Sequence, residues 1–295
     1  MKIFAVLVLY KKSLEESQTF RSLLDSYLRM NSSQLDFFLL VYDNSPRIQD
    51  LLPNIPFSYE YIHDPQNSGL STAYNYALKK AALMNYPWLL LLDHDSTLSQ
   101  NYISTIEKVL EVNSPNESIV SFVPKAICNG AIVSPSRVML GVQFRPIKIN
   151  YVGLSDFEIT SINSGALFKV SLLQEIHGFN NLFPLDYLDH WLFHKIYLSG
   201  KKVYVFNSII QHDLSLSNVN TNMSVTRYEN ILESEKLFYL TYKTRGENIL
   251  YLIKLLVRFL RLSITVQNKT FTLIVLRQLY DSTLDVISSS KRIMI

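Results

Sequence analysis

The chain has 295 residues, of which 48% are hydrophobic and 18% charged, and a net charge of +3. That length allows one large or two small cores, and the composition excludes a disordered chain. The single cysteine, Cys128, excludes an internal disulfide and a cysteine-built zinc site, and it suits a reducing compartment. The charge is uneven: residues 236–295 carry 10 Lys and Arg against 3 Asp and Glu, whereas 1–235 carry 18 against 22.

Residues 2–9 are a short apolar run without a small-residue cleavage site, which predicts a buried first strand and no secretion signal. Residues 13–30 place Leu14, Phe20, Leu23, Leu24, Tyr27 and Leu28 at helical spacing. Residues 36–42 predict a second strand ending in Asp43-Asn44-Ser45, and 58–63 a third. Residues 71–85 predict a helix capped by Ser71, and 86–92 the next strand. Strand–helix alternation of this kind predicts an α/β sheet of mostly parallel strands. Right-handed crossovers then put the carboxyl ends of the strands, where ligands bind, on one edge. A helix over 101–112 follows, then short strands and turns over 119–160, broken at Pro124, Pro135 and Pro146. Helices over 172–177 and 191–199 and a strand over 202–206 come next. The polar stretch 213–226 reads as a loop, either a lid that orders over ligand or a plain connection. From residue 228 the pattern is helical.

The most informative segment is Trp88-Leu89-Leu90-Leu91-Leu92-Asp93-His94-Asp95, a buried-strand pattern that stops at two carboxylates. At a sheet edge, Asp93 and Asp95 can share a divalent cation that grips a diphosphate, or they can be a charged turn. Asp43 can accept hydrogen bonds from a base or ribose, although Asp, Asn and Ser also favour turns. In Asn67-Ser68-Gly69-Leu70-Ser71, Gly69 permits close backbone approach at a helix start that favours anions; a plain helix entry reads the same way. In Asp186-Tyr187-Leu188-Asp189-His190 a carboxylate among aromatic residues can be a general base, a helix cap, or both. His212 can complete a cation shell or be structural.

In this order the segments resemble the family 2 glycosyltransferases. The matching pieces are Ala5 to Tyr10, Val41-Tyr42-Asp43-Asn44-Ser45, Asn67 to Asn75, Leu91-Leu92-Asp93-His94-Asp95, Asn163-Ser164-Gly165-Ala166-Leu167-Phe168 and Gly178-Phe179-Asn180-Asn181-Leu182-Phe183. Phe183 to Trp191 is most similar to the rhamnosyltransferase branch. The resemblance covers roughly residues 1–215. It implies a GT-A fold, a mixed and mostly parallel sheet flanked by helices, over a catalytic domain of 1–227. A helical region of 228–295 would follow.

The resemblance also implies roles. Asp43, Asn67, Gly69 and Asp93 would bind the donor, Asp95 and His212 would hold Mg2+ or Mn2+, and Asp189 would be the catalytic base, desolvated by Leu188 and Trp191. The implied reaction inverts the sugar's anomeric centre. The expected donor is dTDP-rhamnose, and the acceptor a hydroxyl of a growing cell-surface polysaccharide or a lipid-linked saccharide. The alternatives are a UDP-hexose or UDP-N-acetylhexosamine donor, or an inactive nucleotide-sugar-binding scaffold. The chain departs from the family pattern at Tyr10-Lys11-Lys12, at Asn180-Asn181 and at His190-Trp191-Leu192.

In the tail, Leu250, Ile253, Leu256, Val257, Leu260 and Ile264 fall near one helical stripe beside Lys254, Arg258 and Arg261. A basic amphipathic helix of this kind lies in a membrane interface or packs against protein. No stretch reaches the roughly 18 uninterrupted apolar residues of a spanning helix. The expected location is the cytoplasm, on the inner face of the membrane if the tail binds lipid. No nucleic-acid module is present, so no nucleic-acid partner is expected.

Overall fold

The computed structural model describes residues 1–30, 35–49, 55–212 and 223–292. The chain forms two compact units, Met1–Arg137 with Pro146–Asp213, and Val138–Arg145 with Leu214–Ile295. The elements run β1 (Lys2–Leu9), α1 (Gln18–Leu28), β2 (Asp36–Asp43), β3 (Ser58–His63), α2 (Leu70–Leu83), β4 (Trp88–Asp93), β5 (Ser96–Thr97), α3 (Tyr102–Asn113), β6 (Ile119–Cys128) and β7 (Ala131–Ser134). They continue with β8 (Ser136–Met139), β9 (Gln143–Pro146), β10 (Gly153–Leu154), β11 (Ile159–Thr160), β12 (Ala166–Lys169), α4 (Val170–Glu175), α5 (Leu188–Leu198) and β13 (Lys202–His212). Helices α6 (Val225–Tyr242), α7 (Arg245–Thr265) and α8 (Lys269–Arg292) close the chain.

The first unit is built on a sheet of order β10-β13-β6-β12-β4-β1-β2-β3. The pairs β1–β2, β1–β4, β2–β3 and β6–β13 are parallel, whereas β12 runs antiparallel to both β4 and β6. This is the mixed, mostly parallel, helix-flanked sheet of the GT-A type. Its central strands are apolar on both faces because both are covered. Ile3, Ala5, Leu7 and Leu9 of β1 join Leu90 and Leu92 of β4 in a cluster with Phe20 and Leu23 of α1 and Ile103, Ile106 and Leu110 of α3. The alternate residues Phe4, Val6, Val8, Leu89 and Leu91 are equally buried and lie outside that cluster, as the two-residue period of a strand requires. Each such side chain contributes about 1.5–3 kcal/mol, so β4 tolerates no polar residue until it leaves the core at Asp93.

Several boundaries differ from the sequence expectation, each for a local reason. Helix α1 starts at Gln18 and not near residue 13, because Ser13 donates from both N and Oγ to Glu16 Oε2 and closes a separate turn. Ser17 then caps the helix by accepting from Phe20 N at 3.1 Å. Helix α2 starts at Leu70 with Gly69 as its N-cap at φ +92, so Ser71 lies inside the first turn and caps nothing. Helix α5 starts at Leu188, earlier than residue 191, after Tyr187 takes a left-handed φ of +64. Strand β13 runs past Phe206 to His212 through a register shift between Val205 and Ile209. Of the polar stretch expected as a lid, residues 213–222 lie outside the described residues, and Ser224 caps α6 by accepting from Arg227 N. The expected division after residue 227 falls inside α6.

In the second unit, Glu235 of α6 is buried between Lys254 (2.9 Å) and Arg258 (3.0 Å) of α7. Burial alone would raise its carboxyl, but the two cations outweigh it and hold the pKa down at about 2. Two of the three cations beside the tail's apolar stripe are therefore paired inside the unit. The ring of Tyr251 stacks on that of Tyr239 at 4.4 Å, and Thr244 with Glu247 forms a capping box at the start of α7. Among the described residues, no helix is long and apolar enough to cross a membrane.

Candidate functional site

Parallel pairing brings the ends of β1, β2 and β4 out at one level, with Leu9 opposite Asp43 and Val8 opposite Asp93. Asp93 is held there by two contacts. Its Oδ1 accepts from the Tyr74 hydroxyl of α2 at 3.1 Å, and its backbone N donates to Ser164 Oγ at 3.2 Å. Burial raises the Asp93 carboxyl above the usual range and the charge of Asp95 raises it further, with His212 and Tyr74 acting against them.

Asp95 sits two residues on, with Oδ1 buried and without a hydrogen-bond partner. His212 Nδ1 lies 3.8 Å from that oxygen. Strand β13 delivers the imidazole by pairing with β5, which sets His212 opposite Ser96. A hydroxyl relay fixes it: Ser96 Oγ is 2.7 Å from His212 Nδ1 and 2.8 Å from Ser164 Oγ. Neither Ser96 nor Tyr74 was singled out in the sequence. Ser164 and Tyr74 stand inside family-like segments but were given no role of their own, and nothing local marks Ser96.

Asp189 is the second residue of α5, where its Oδ1 accepts from His190 N at 2.8 Å. The other end of the helix's first turn is pinned by His190 Nδ1 at 2.8 Å from Thr160 Oγ1 and by His194 Nδ1 at 2.7 Å from Glu158 Oε1. The fully buried Tyr74 phenol is raised well above its ordinary value by burial, then by the charges of Asp93, Asp189 and Asp95. Of the three carboxylates, Asp93 is the one that Tyr74 hydrogen-bonds.

The remaining candidates are placed differently. Asn67 is exposed, with a left-handed φ of +51. A Cβ on Gly69 would lie 2.6 Å from Pro184 O, and Leu70 N donates to that same oxygen at 2.7 Å. Close backbone approach at Gly69 is therefore made by the loop leading to Asp189. Asp43 is fully buried, accepting from Ser45 N (2.9 Å), Gln49 Nε2 (3.0 Å) and the Tyr61 hydroxyl (2.7 Å). Burial and then the bond to Asp43 push the Tyr61 phenol up to about 12.

Among the described residues, no group of three or more His, Cys, Asp and Glu side chains is arranged to hold a metal. Asp95 and His212 nevertheless fit one. The orphaned Asp95 oxygen leaves an open position, the His212 Nδ1 3.8 Å from it would have to leave Ser96 Oγ to join, and Mg2+ is commonly held by one or two carboxylates plus substrate phosphates and water.

The family model described as "Glycosyl transferase family 2" matches residues 8–176. That span includes Asp43, Asn67, Gly69, Asp93 and Asp95 and stops short of Asp189 and His212. No curated protein matches the chain. Among solved structures, S. aureus TarS 1–349 is similar at 14% identity and a TM-score of 0.49, over 99% of this chain and 92% of that one. The same protein in complex with UDP-GlcNAc gives 13% identity and a TM-score of 0.48 over the same shares.

Proposed function

Since the chain belongs to glycosyl transferase family 2, we propose that it moves a sugar from a nucleotide donor to an acceptor hydroxyl with inversion. The observation that carries this reading is the pair Asp93 and Asp95 where β4 ends, with the Tyr74 hydroxyl on Asp93 and His212 beside Asp95.

In this reading Asp95 and His212 hold Mg2+ or Mn2+, which when bound supplies a Lewis acid for charge on the diphosphate. Asp93, steadied by Tyr74 and Ser164, accepts hydrogen bonds from ribose or sugar hydroxyls. Asn67 and Gly69 border the donor, and Asp43 meets its base or ribose. Asp189 takes the acceptor's hydroxyl proton as the acceptor oxygen bonds to the anomeric carbon and the bond to the diphosphate oxygen breaks. Holding both substrates in line is worth up to several kcal/mol. Attack opposite the leaving group inverts the centre.

The donor proposed first is dTDP-rhamnose, on the segment Phe183 to Trp191, and the acceptor is a cell-surface polysaccharide or lipid-linked saccharide. A UDP-sugar donor is the second reading. We divide the labour between residues 1–227 for catalysis and 228–295 for attachment to the inner face of the membrane. The attachment reading is supported by the exposed apolar stripe on α7.

The test is thermal stability against a panel of nucleotide sugars, with and without Mn2+ or Mg2+, because a ligand that binds the native state raises its melting temperature. Cation-dependent stabilisation by dTDP-rhamnose alone is expected. Stabilisation by a UDP-sugar would replace the donor, and silence across the panel would favour a scaffold.

A further inference from the structure

The hydroxyl relay behind Asp93 can be followed hydrogen by hydrogen. Ser164 and Ser96 are fully buried, and each hydroxyl has one hydrogen that needs one acceptor. Ser164 Oγ accepts from Asp93 N at 3.2 Å, and the acceptor within reach of its own hydrogen is Ser96 Oγ at 2.8 Å. Ser164 therefore donates to Ser96. Ser96 Oγ donates onward in turn, and the acceptor left to it is His212 Nδ1 at 2.7 Å. In the reverse order Nδ1–H would donate to Ser96 and Ser96 to Ser164, and the Ser164 hydrogen would stay in the interior without an acceptor. An orphaned buried hydroxyl disfavours that order by about five- to hundredfold. Ser96 is also fixed from behind: Thr19 Oγ1 accepts from its backbone N at 2.9 Å and donates to its backbone O at 2.8 Å.

Which ring nitrogen of a histidine is protonated follows from the hydrogen bond that the other one makes. We infer that Ser164 and Ser96 are positioning residues for His212: they keep its ring hydrogen on Nε2 and occupy the Nδ1 lone pair, so that a cation at Asp95 gains that nitrogen only by displacing the Ser96 hydroxyl. Asp95 does not draw the hydrogen to Nδ1, because 3.8 Å from its Oδ1 is too long for a hydrogen bond. The inference rests on the assignment of Asp95 and His212 to a cation. A binding-competent form that is only fractionally populated weakens apparent affinity by that fraction, and here the competent form is the one with Nδ1 released.

The experiment has two parts, both on the full chain. Long-range proton–nitrogen correlation spectra of the metal-free protein show which nitrogen of His212 carries the hydrogen, at a pH above the ordinary imidazole value of about 6.5. The spectrum of His212→Gln picks its signals out from those of the six histidines. The wild type is expected to show Nε2–H and a bare Nδ1, and hydrogen on Nδ1 would overturn the inference. Calorimetric titration with Mn2+ alone then compares the wild type with Ser96→Ala, which loses the hydroxyl and keeps the backbone bonds to Thr19. Ser96→Ala is expected to bind Mn2+ about three- to tenfold tighter, the reach of one neutral hydrogen bond. Equal or weaker binding by the folded variant, as a merely structural hydroxyl would give, overturns the competition for Nδ1. Asp95→Ala is read separately: unchanged Mn2+ affinity in that variant would remove the cation assignment itself, wherever the ring hydrogen sits.

Discussion

Asp93 bears the heaviest electrostatic load of any candidate residue, since burial and the charge of Asp95 both oppose its ionisation. Its folded pKa lies above the unfolded value. Its contribution to stability is therefore present below pH 3.8 and is lost as the pH rises through the folded pKa. Asp93→Asn should consequently raise the melting temperature of the metal-free protein at pH 7 and leave it nearly unchanged at pH 3. An equal effect at both values would mean that the charge is not the cause. Asp189→Asn should lower kcat by about 10²–10⁴-fold while nucleotide binding stays within twofold, as for loss of a general base. Measured kcat alongside UDP and dTDP affinities checks the split. The carboxylates were readable because a polar residue closing an apolar strand stands out. Tyr74 and Ser96 were not, because a Tyr and a Ser within ordinary helix and turn patterns carry no mark until the chain brings Asp93 and His212 against them.

At the scale of elements, turns are where sequence and structure part. Ser71 has the right chemistry for a cap, but the helix starts one residue earlier because Gly69 turns the chain beneath Pro184 O. Gly69→Ala adds a Cβ 2.6 Å from that oxygen at a φ that L residues rarely adopt, so about 1–3 kcal/mol of destabilisation is expected. Because the displaced loop leads to Asp189, activity should fall further than denaturant midpoints predict. In the second unit, Glu235 has a folded pKa of about 2 against an ordinary 4.5. The stability it contributes is present above pH 4.5 and lost as the pH falls toward 2. From that shift, Glu235→Gln should cost on the order of 3 kcal/mol at pH 7 and little near pH 2. Urea melts at the two pH values measure the difference.

Over the whole molecule, the tail stands out for apolar surface left facing solvent. On α7, Ile249, Ile253, Leu256, Val257, Leu260 and Ile264 are all exposed, Ile264 by 86%. Leu273, Leu276, Tyr280, Leu284 and Ile287 repeat the pattern along α8. Contiguous apolar surface of this kind marks an interaction site more often than an idle face. With Lys254 and Arg258 engaged by Glu235, the cations left beside the α7 stripe are Arg245 and Arg261. The full chain should therefore co-sediment with anionic vesicles, and the double substitution Val257→Asp with Leu260→Asp should release it. Arg261→Glu should weaken binding mainly at low salt, since each such cation contributes only about 1 kcal/mol near an anionic surface. Persistent vesicle binding by the double variant would show that another surface makes the contact.

The strand–helix alternation, the strands buried on both faces, the carboxylates at the ends of β2 and β4 and the helical tail were all legible along the chain. Each is a local pattern of apolar period or of a polar residue ending an apolar run, and such patterns survive in one dimension. The relay from Ser164 through Ser96 to His212, the enclosure of Asp43 by Gln49, and the pairing of Lys254 and Arg258 with Glu235 were not legible. They join residues as far as 116 positions apart, and their partners are selected by strand register and helix packing. Those are properties of the folded chain, in which a side chain's charge and exposure depend on what the rest of the molecule sets against it.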